Sequence, residues 1–122
     1  MENQNNLMQV ITTSSPSQLI NHPLVADRFK SLYQTIHGIK DPAIAESFLK
    51  AEQFHFLKLV NDSANLKACT PLSLYGVFMD VAVSGLSFDP SMKHLYIVPF
   101  NTNVGTRDQP KWEKRAALQI SG

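Results

Sequence analysis

The run CTPLSLYGVFMDVAVSGLSFDPSMKHLYIVPF, residues 69–100, reads as a capped and almost wholly apolar helix, a glycine stop, an Asp-Pro turn and a strand. Thr70 has the hydroxyl an N-cap needs, and Pro71 suits the first helical position, where a missing N–H costs nothing. Leu72, Leu74, Tyr75, Val77, Phe78, Val81, Ala82 and Val83 cover most of the helix circumference, which predicts burial on several sides. Gly85 can take the left-handed conformation that ends a helix, and Asp89-Pro90 prevents its continuation. His94 to Phe100 is short, β-branched and aromatic, and Pro99 places it at a sheet edge or a bulge. So apolar a helix needs partners on more than one side, which the rest of the chain must supply.

Two amphipathic helices precede it. Pro23 to His37 carries Leu24, Val25, Phe29, Leu32, Tyr33 and Ile36 at three-and-four spacing, and Gly38 closes it. The next begins after Asp41, an N-cap followed by Pro42, and runs to about Asn61. Its apolar stripe is Ile44, Ala45, Phe48, Leu49, Phe56, Leu59 and Val60, with Glu46, Lys50 and Glu52 expected in solvent. Asn61 to Ala68 reads as a polar connection. Residues 1–20 are rich in Asn, Gln, Ser and Thr around a weak apolar patch of Leu7, Met8, Val10 and Ile11. Their composition fits a disordered tail, or an arm that docks on a neighbouring subunit through that patch.

Beyond the first strand, Asn101 to Pro110 is rich in turn formers, and Lys111 to Ile120 is expected to return antiparallel as the second arm of a hairpin. Trp112, Lys114, Ala116, Leu118 and Ile120 fall on one face of that strand, and Glu113, Arg115 and Ala117 on the other. Helices followed by a hairpin make an α+β fold, read as one domain over residues 21–122.

At 122 residues and 43% hydrophobic content the chain can build a core, and it contains no run of membrane-spanning length. The polar start lacks the basic-then-apolar pattern of a secretory leader, and one cysteine, Cys69, fits a reducing cytoplasm. The chain stops at Gly122 just as a strand leaves its ladder, as a fragment would.

No catalytic constellation is present: there is no glycine-rich phosphate loop, no nucleophile elbow and no paired carboxylates with acid–base support. Cys69 reads as a packed residue at a helix start rather than a thiol nucleophile. His22, His37 and His55 lack a second ligand at metal-site spacing, so no metal or cofactor is implied. The basic residues are more informative. Lys93 and His94 precede the first strand, while Arg107, Lys111, Lys114 and Arg115 lie on the loop and return strand, with Trp112 among them and Tyr96 and Phe100 opposite. Cations interleaved with aromatics suit single-stranded nucleic acid, the cations meeting phosphates and the rings stacking on bases. With Asp108 and Glu113 close by, spacing alone allows a merely solvated hairpin face equally well.

Five ordered blocks carry a resemblance: Cys69-Thr70-Pro71-Leu72-Ser73-Leu74, Ser84-Gly85-Leu86, Asp89-Pro90, His94-Leu95-Tyr96-Ile97-Val98-Pro99-Phe100 and Leu118-Gln119-Ile120. Together they resemble the RecT family of phage-type single-strand annealing recombinases. The chain departs from that pattern in the long loop at Asn101 to Pro110. A second departure is Ser121-Gly122, where the family commonly continues with Gly-Tyr-Lys-Gly and a helix. The resemblance implies the N-terminal portion of a larger RecT-type annealing core. It implies ATP-independent, non-enzymatic binding of single-stranded DNA and annealing of complementary strands on a homo-oligomer. Such proteins work beside a 5′-to-3′ exonuclease, with a host single-strand binding protein as a further partner. Lys93, Arg107, Lys111, Lys114 and Arg115 become the expected phosphate contacts, with Trp112 or Tyr96 as stacking or packing aromatics. A protein-interaction module using exposed apolar helical surface is the alternative.

Overall fold

A computed structural model describes residues 2–89, 91–92 and 95–120, with side chains from Leu7 onward. The apolar run forms the central helix, α6 (Pro71–Ser84), with Thr70 capping the Ser73 N–H and Pro71 opening the first turn. The four helices that pack on it or beside it are α1 (Glu2–Thr13), α2 (Pro16–Asn21), α3 (Pro23–His37) and α4 (Pro42–Asn61). A short α5 (Ala64–Lys67) lies in the expected polar connection, capped by Ser63, and buries Leu66. The chain then forms the hairpin of β1 (Leu95–Asn103) and β2 (Trp112–Ile120), so the expected α+β order of helices and then a hairpin is the observed one.

Helix α6 meets α1, α2, α3 and β2, which supplies the several-sided burial its composition demands. Phe78 sits at the centre, its ring 4.6 Å from Phe29 of α3 and 5.4 Å from Phe56 of α4, and Phe88 closes the far side of Phe56 at 5.2 Å. Leu74, Val77, Met79, Val81 and Ala82 are buried with it, whereas Leu72 and Val83, expected inside, are about half exposed at the two ends of the helix. Gly85 ends α6 with φ +74°, the left-handed value predicted for it.

Residues 2–21 differ from the disordered tail that their composition suggests. Ile11, Leu19 and Ile20 are buried against the core, and Ser15 and Gln18 form a reciprocal capping box at the start of α2. Three apolar residues at the right spacing anchor the segment despite its polar majority.

Glu52 is a second correction. Expected in solvent with Glu46 and Lys50, it is 2% exposed and accepts hydrogen bonds from Ser87 Oγ at 2.7 Å and the Phe88 N–H at 2.6 Å. A buried carboxylate is tolerable only when donors replace its water, and here the turn after α6 provides them. The histidines serve local structure. His22 Nδ1 caps α3 by accepting from the Leu24 N–H, His37 Nε2 donates to the Ala82 carbonyl, and His55 lies 3.9 Å from Asp89.

The hairpin register pairs Leu95 with Ile120, Pro99 with Ala116 and Asn103 with Trp112. Leu95, Ile97, Pro99, Ala116 and Leu118 face the helices; Tyr96, Val98, Phe100, Arg115 and Ala117 face away. The Ala116 N–H donates to Ser73 Oγ of α6 rather than across the hairpin. Pro99 and Ala116 are therefore a non-hydrogen-bonded pair, and the missing N–H of Pro99 lies on the outer edge of β1, where it interrupts no ladder bond.

Candidate nucleic-acid interface

The outward face of the hairpin follows from strand alternation. With Leu95, Ile97 and Pro99 turned to the core, Tyr96, Val98 and Phe100 must turn out, and their exposures are 55%, 38% and 44%. Arg115 is the direct cross-strand neighbour of Phe100 on this face, and Gln119 that of Tyr96. The result is an aromatic strip with a guanidinium beside it. Glu113, on the same face, reaches Arg115 at 3.4 Å. That half-exposed pair orients the guanidinium but contributes little to stability.

The remaining expected cations lie elsewhere on the hairpin. Arg107 and Lys111 are exposed on the loop between the strands, and neither side chain enters an ion pair among the described residues. That loop is internally tied. Asn103 Oδ1 accepts the N–H groups of Gly105 and Lys111, while Thr106 and Gln109 bond to each other. A Cβ on Gly105 would stand 2.4 Å from the Gln109 carbonyl, so only glycine fits. Trp112, 65% exposed, starts β2 on the core-side face but beyond the reach of the helices. Lys114 shares that face and is partly engaged, its Nζ donating to Asn65 Oδ1 at 3.0 Å. Lys93 lies outside the described residues, as does His94.

The five expected site residues that the structure describes are thus not one patch. Arg115 belongs to the outward aromatic face, Arg107 and Lys111 to the loop, and Trp112 and Lys114 to the opposite side of β2. Tyr96 and Phe100, read from sequence as lying opposite the cations, share their face with Arg115 alone. Strand alternation contained that information, since both have the parity opposite to Leu95 and Ile97.

Among the described residues, no acid–base or nucleophilic machinery accompanies these side chains. Cys69 is buried, its Sγ 3.4 Å from the Asn65 carbonyl, and burial pushes its thiol pKa upward, away from the reactive thiolate. Among the described residues no cluster of His, Cys, Asp or Glu has metal-binding geometry. Nor is any helix among them long and apolar enough to cross a membrane.

No curated protein and no solved structure matches the chain. The model of the RecT family matches residues 51–121, from within α4 through the turn held by Glu52 to the end of β2. That span is more than half of the chain and contains every motif block and every candidate cation on the hairpin, and by it the chain belongs to the RecT family.

Proposed function

We propose that this chain binds single-stranded DNA across its hairpin and anneals complementary strands, without ATP and without covalent chemistry, in homologous recombination. The RecT family as a whole is one of DNA annealing in recombination, which supports that reading. The observation that carries it is the outward strip of Tyr96, Val98 and Phe100 with Arg115 across from Phe100. Exposed rings on a flat strand surface offer every base a stacking partner, each contact contributing roughly 1–3 kcal/mol without regard to sequence. Cations at the margin neutralise phosphates and hold the backbone extended. A strand held with its pairing edges outward is ready for a complement, and correct pairing then adds its own stability.

In this reading Arg107, Lys111, Lys114 and Arg115, with Lys93, serve the phosphates, and Trp112 offers a further ring beside the loop. The protein acts as a homo-oligomer in the cytoplasm, beside a 5′-to-3′ exonuclease that exposes the strand and with a host single-strand binding protein. Fluorescence anisotropy of a labelled single-stranded oligonucleotide, titrated at low and at moderate salt, tests the binding step. Tight binding at low salt that collapses at moderate salt supports the proposal. No binding at either salt removes the hairpin from the DNA path.

A second reading, a protein-interaction module, draws on α4, where Phe54 and Ile44 are 65% and 49% exposed. Association through that apolar surface persists or strengthens as salt rises, the reverse of the DNA response.

A further inference from the structure

The start of α6 borders the outer edge of β2 and supplies part of what a neighbouring strand would. The Thr70 N–H donates to the Lys114 carbonyl at 2.9 Å, and the Ala116 N–H donates to Ser73 Oγ at 2.9 Å. These two contacts also close on each other. Ser73 Oγ donates to the Thr70 carbonyl at 2.9 Å, and the Ser73 N–H donates to Thr70 Oγ1 at 3.3 Å. The hydroxyl of Ser73 therefore bonds in both senses, fixing its own helix turn with its proton and the strand with its lone pair. Only a hydroxyl in the first turn does both, because its acceptor must reach sideways while its donor turns back along the helix. Ala116 is 8% exposed, so no bulk water waits to replace a lost partner for its amide.

We propose that Ser73, with Thr70 beside it, is a positioning residue for the hairpin. It locks β2 to the helical body by its outer edge and so fixes the direction in which Tyr96, Phe100 and Arg115 are presented. The role deepens the DNA-binding reading and rests on it for its functional consequence, but the anchoring itself is independent of DNA. A two-stranded hairpin is marginal alone. The two edge bonds oppose sliding directly. Without them the platform must be ordered again each time a strand binds, and affinity falls by that ordering cost.

The chain has a single tryptophan, Trp112, at the head of the anchored strand, and it reports hairpin motion by its fluorescence. Ser73→Ala is expected to keep the helical circular dichroism of the wild type and to lower the Trp112 anisotropy in the absence of DNA. It is also expected to weaken binding of a labelled oligothymidylate roughly fivefold, the scale of one or two newly mobile side chains and their backbone. Ser73→Thr, which retains the hydroxyl, is expected to restore both readings. Unchanged Trp112 anisotropy in Ser73→Ala overturns the proposal, as does failure of Ser73→Thr to rescue. Should Ser73→Ala lose its helical signal, hydrogen exchange of the Ala116 amide in the wild type decides instead: slow exchange supports the anchor and fast exchange overturns it. A wild-type chain that does not bind the oligonucleotide sinks the DNA reading, while the anisotropy of Trp112 still decides the anchor.

Discussion

A carboxylate that is 2% exposed carries a desolvation cost which only its donors offset, and Glu52 has two close ones in Ser87 and Phe88. Glu52→Ala leaves the Phe88 N–H without its acceptor and opens a void under the turn. It is expected to cost about 2–4 kcal/mol in urea unfolding, and Glu52→Gln, which keeps an acceptor, less. Equal midpoints for Glu52→Ala and the wild type would show that the turn holds itself. Gly85 carries a different constraint. At φ +74° an alanine is strained, and its Cβ would stand 3.0 Å from His37 Cε1, so Gly85→Ala is expected to lose about 2 kcal/mol in the same measurement. Asp89 accepts from the Ser91 N–H and hydroxyl, and the backbone bond does most to hold its carboxyl below the ordinary value. A depressed carboxylate pKa stabilises above the unfolded value, near 4, and that contribution fades as pH falls through the folded one. The Ser91 amide resonance is therefore expected to titrate with an apparent pKa below that of an ordinary aspartate.

At the scale of elements, the boundaries of α3, α4 and α6 were legible where a residue with a stereochemical reason marks them: Pro23, Asp41-Pro42, Thr70-Pro71, and the glycines at 38 and 85. The two faces of the hairpin were legible from alternation alone, since side-chain direction in a strand has period two. The fold of residues 2–21 was not read, because composition outweighs three apolar side chains in a polar segment, although Ser15 and Gln18 had the spacing of a capping box. Glu52 was not legible at all: its donors lie 35 and 36 residues away, and nothing local marks a helix carboxylate as buried. The distribution of the candidate cations over two faces and a loop was not legible either, because it depends on where the helices meet the sheet. The hairpin makes its own prediction. Tyr96→Ala with Phe100→Ala is expected to leave the unfolding midpoint within experimental error, both rings being exposed, and to weaken single-strand binding by about 2 kcal/mol or more. An unchanged affinity would take stacking out of the mechanism.

Over the whole molecule the formal charge is only +1, so no long-range field gathers DNA to this chain and attraction must be local. Four candidate cations lie on the described hairpin, and one, Arg115, is already paired with a carboxylate, that of Glu113, while the partner of Lys114, Asn65, carries no charge. For single strands the slope of log affinity against log salt is then expected near −2 per bound chain, from about three phosphates neutralised. Charge reversal of Lys111, Lys114 and Arg115 together is expected to flatten that slope while circular dichroism stays unchanged; an undiminished slope would move the phosphate contacts off the hairpin. If the proposed anchor at Ser73 holds, this modest charge sits on a platform oriented before any strand binds.

Pro99 has a consequence for solubility. A nine-residue strand with no second partner strand among the described residues and with aromatic outward side chains is the kind of template on which chains of the same sequence stack into fibrils. Because the backbone nitrogen of Pro99, which points to the outer edge at the middle of β1, has no proton to give, an incoming strand meets a break in its ladder there. The hairpin can keep a sticky surface for a ligand while its rim refuses to grow.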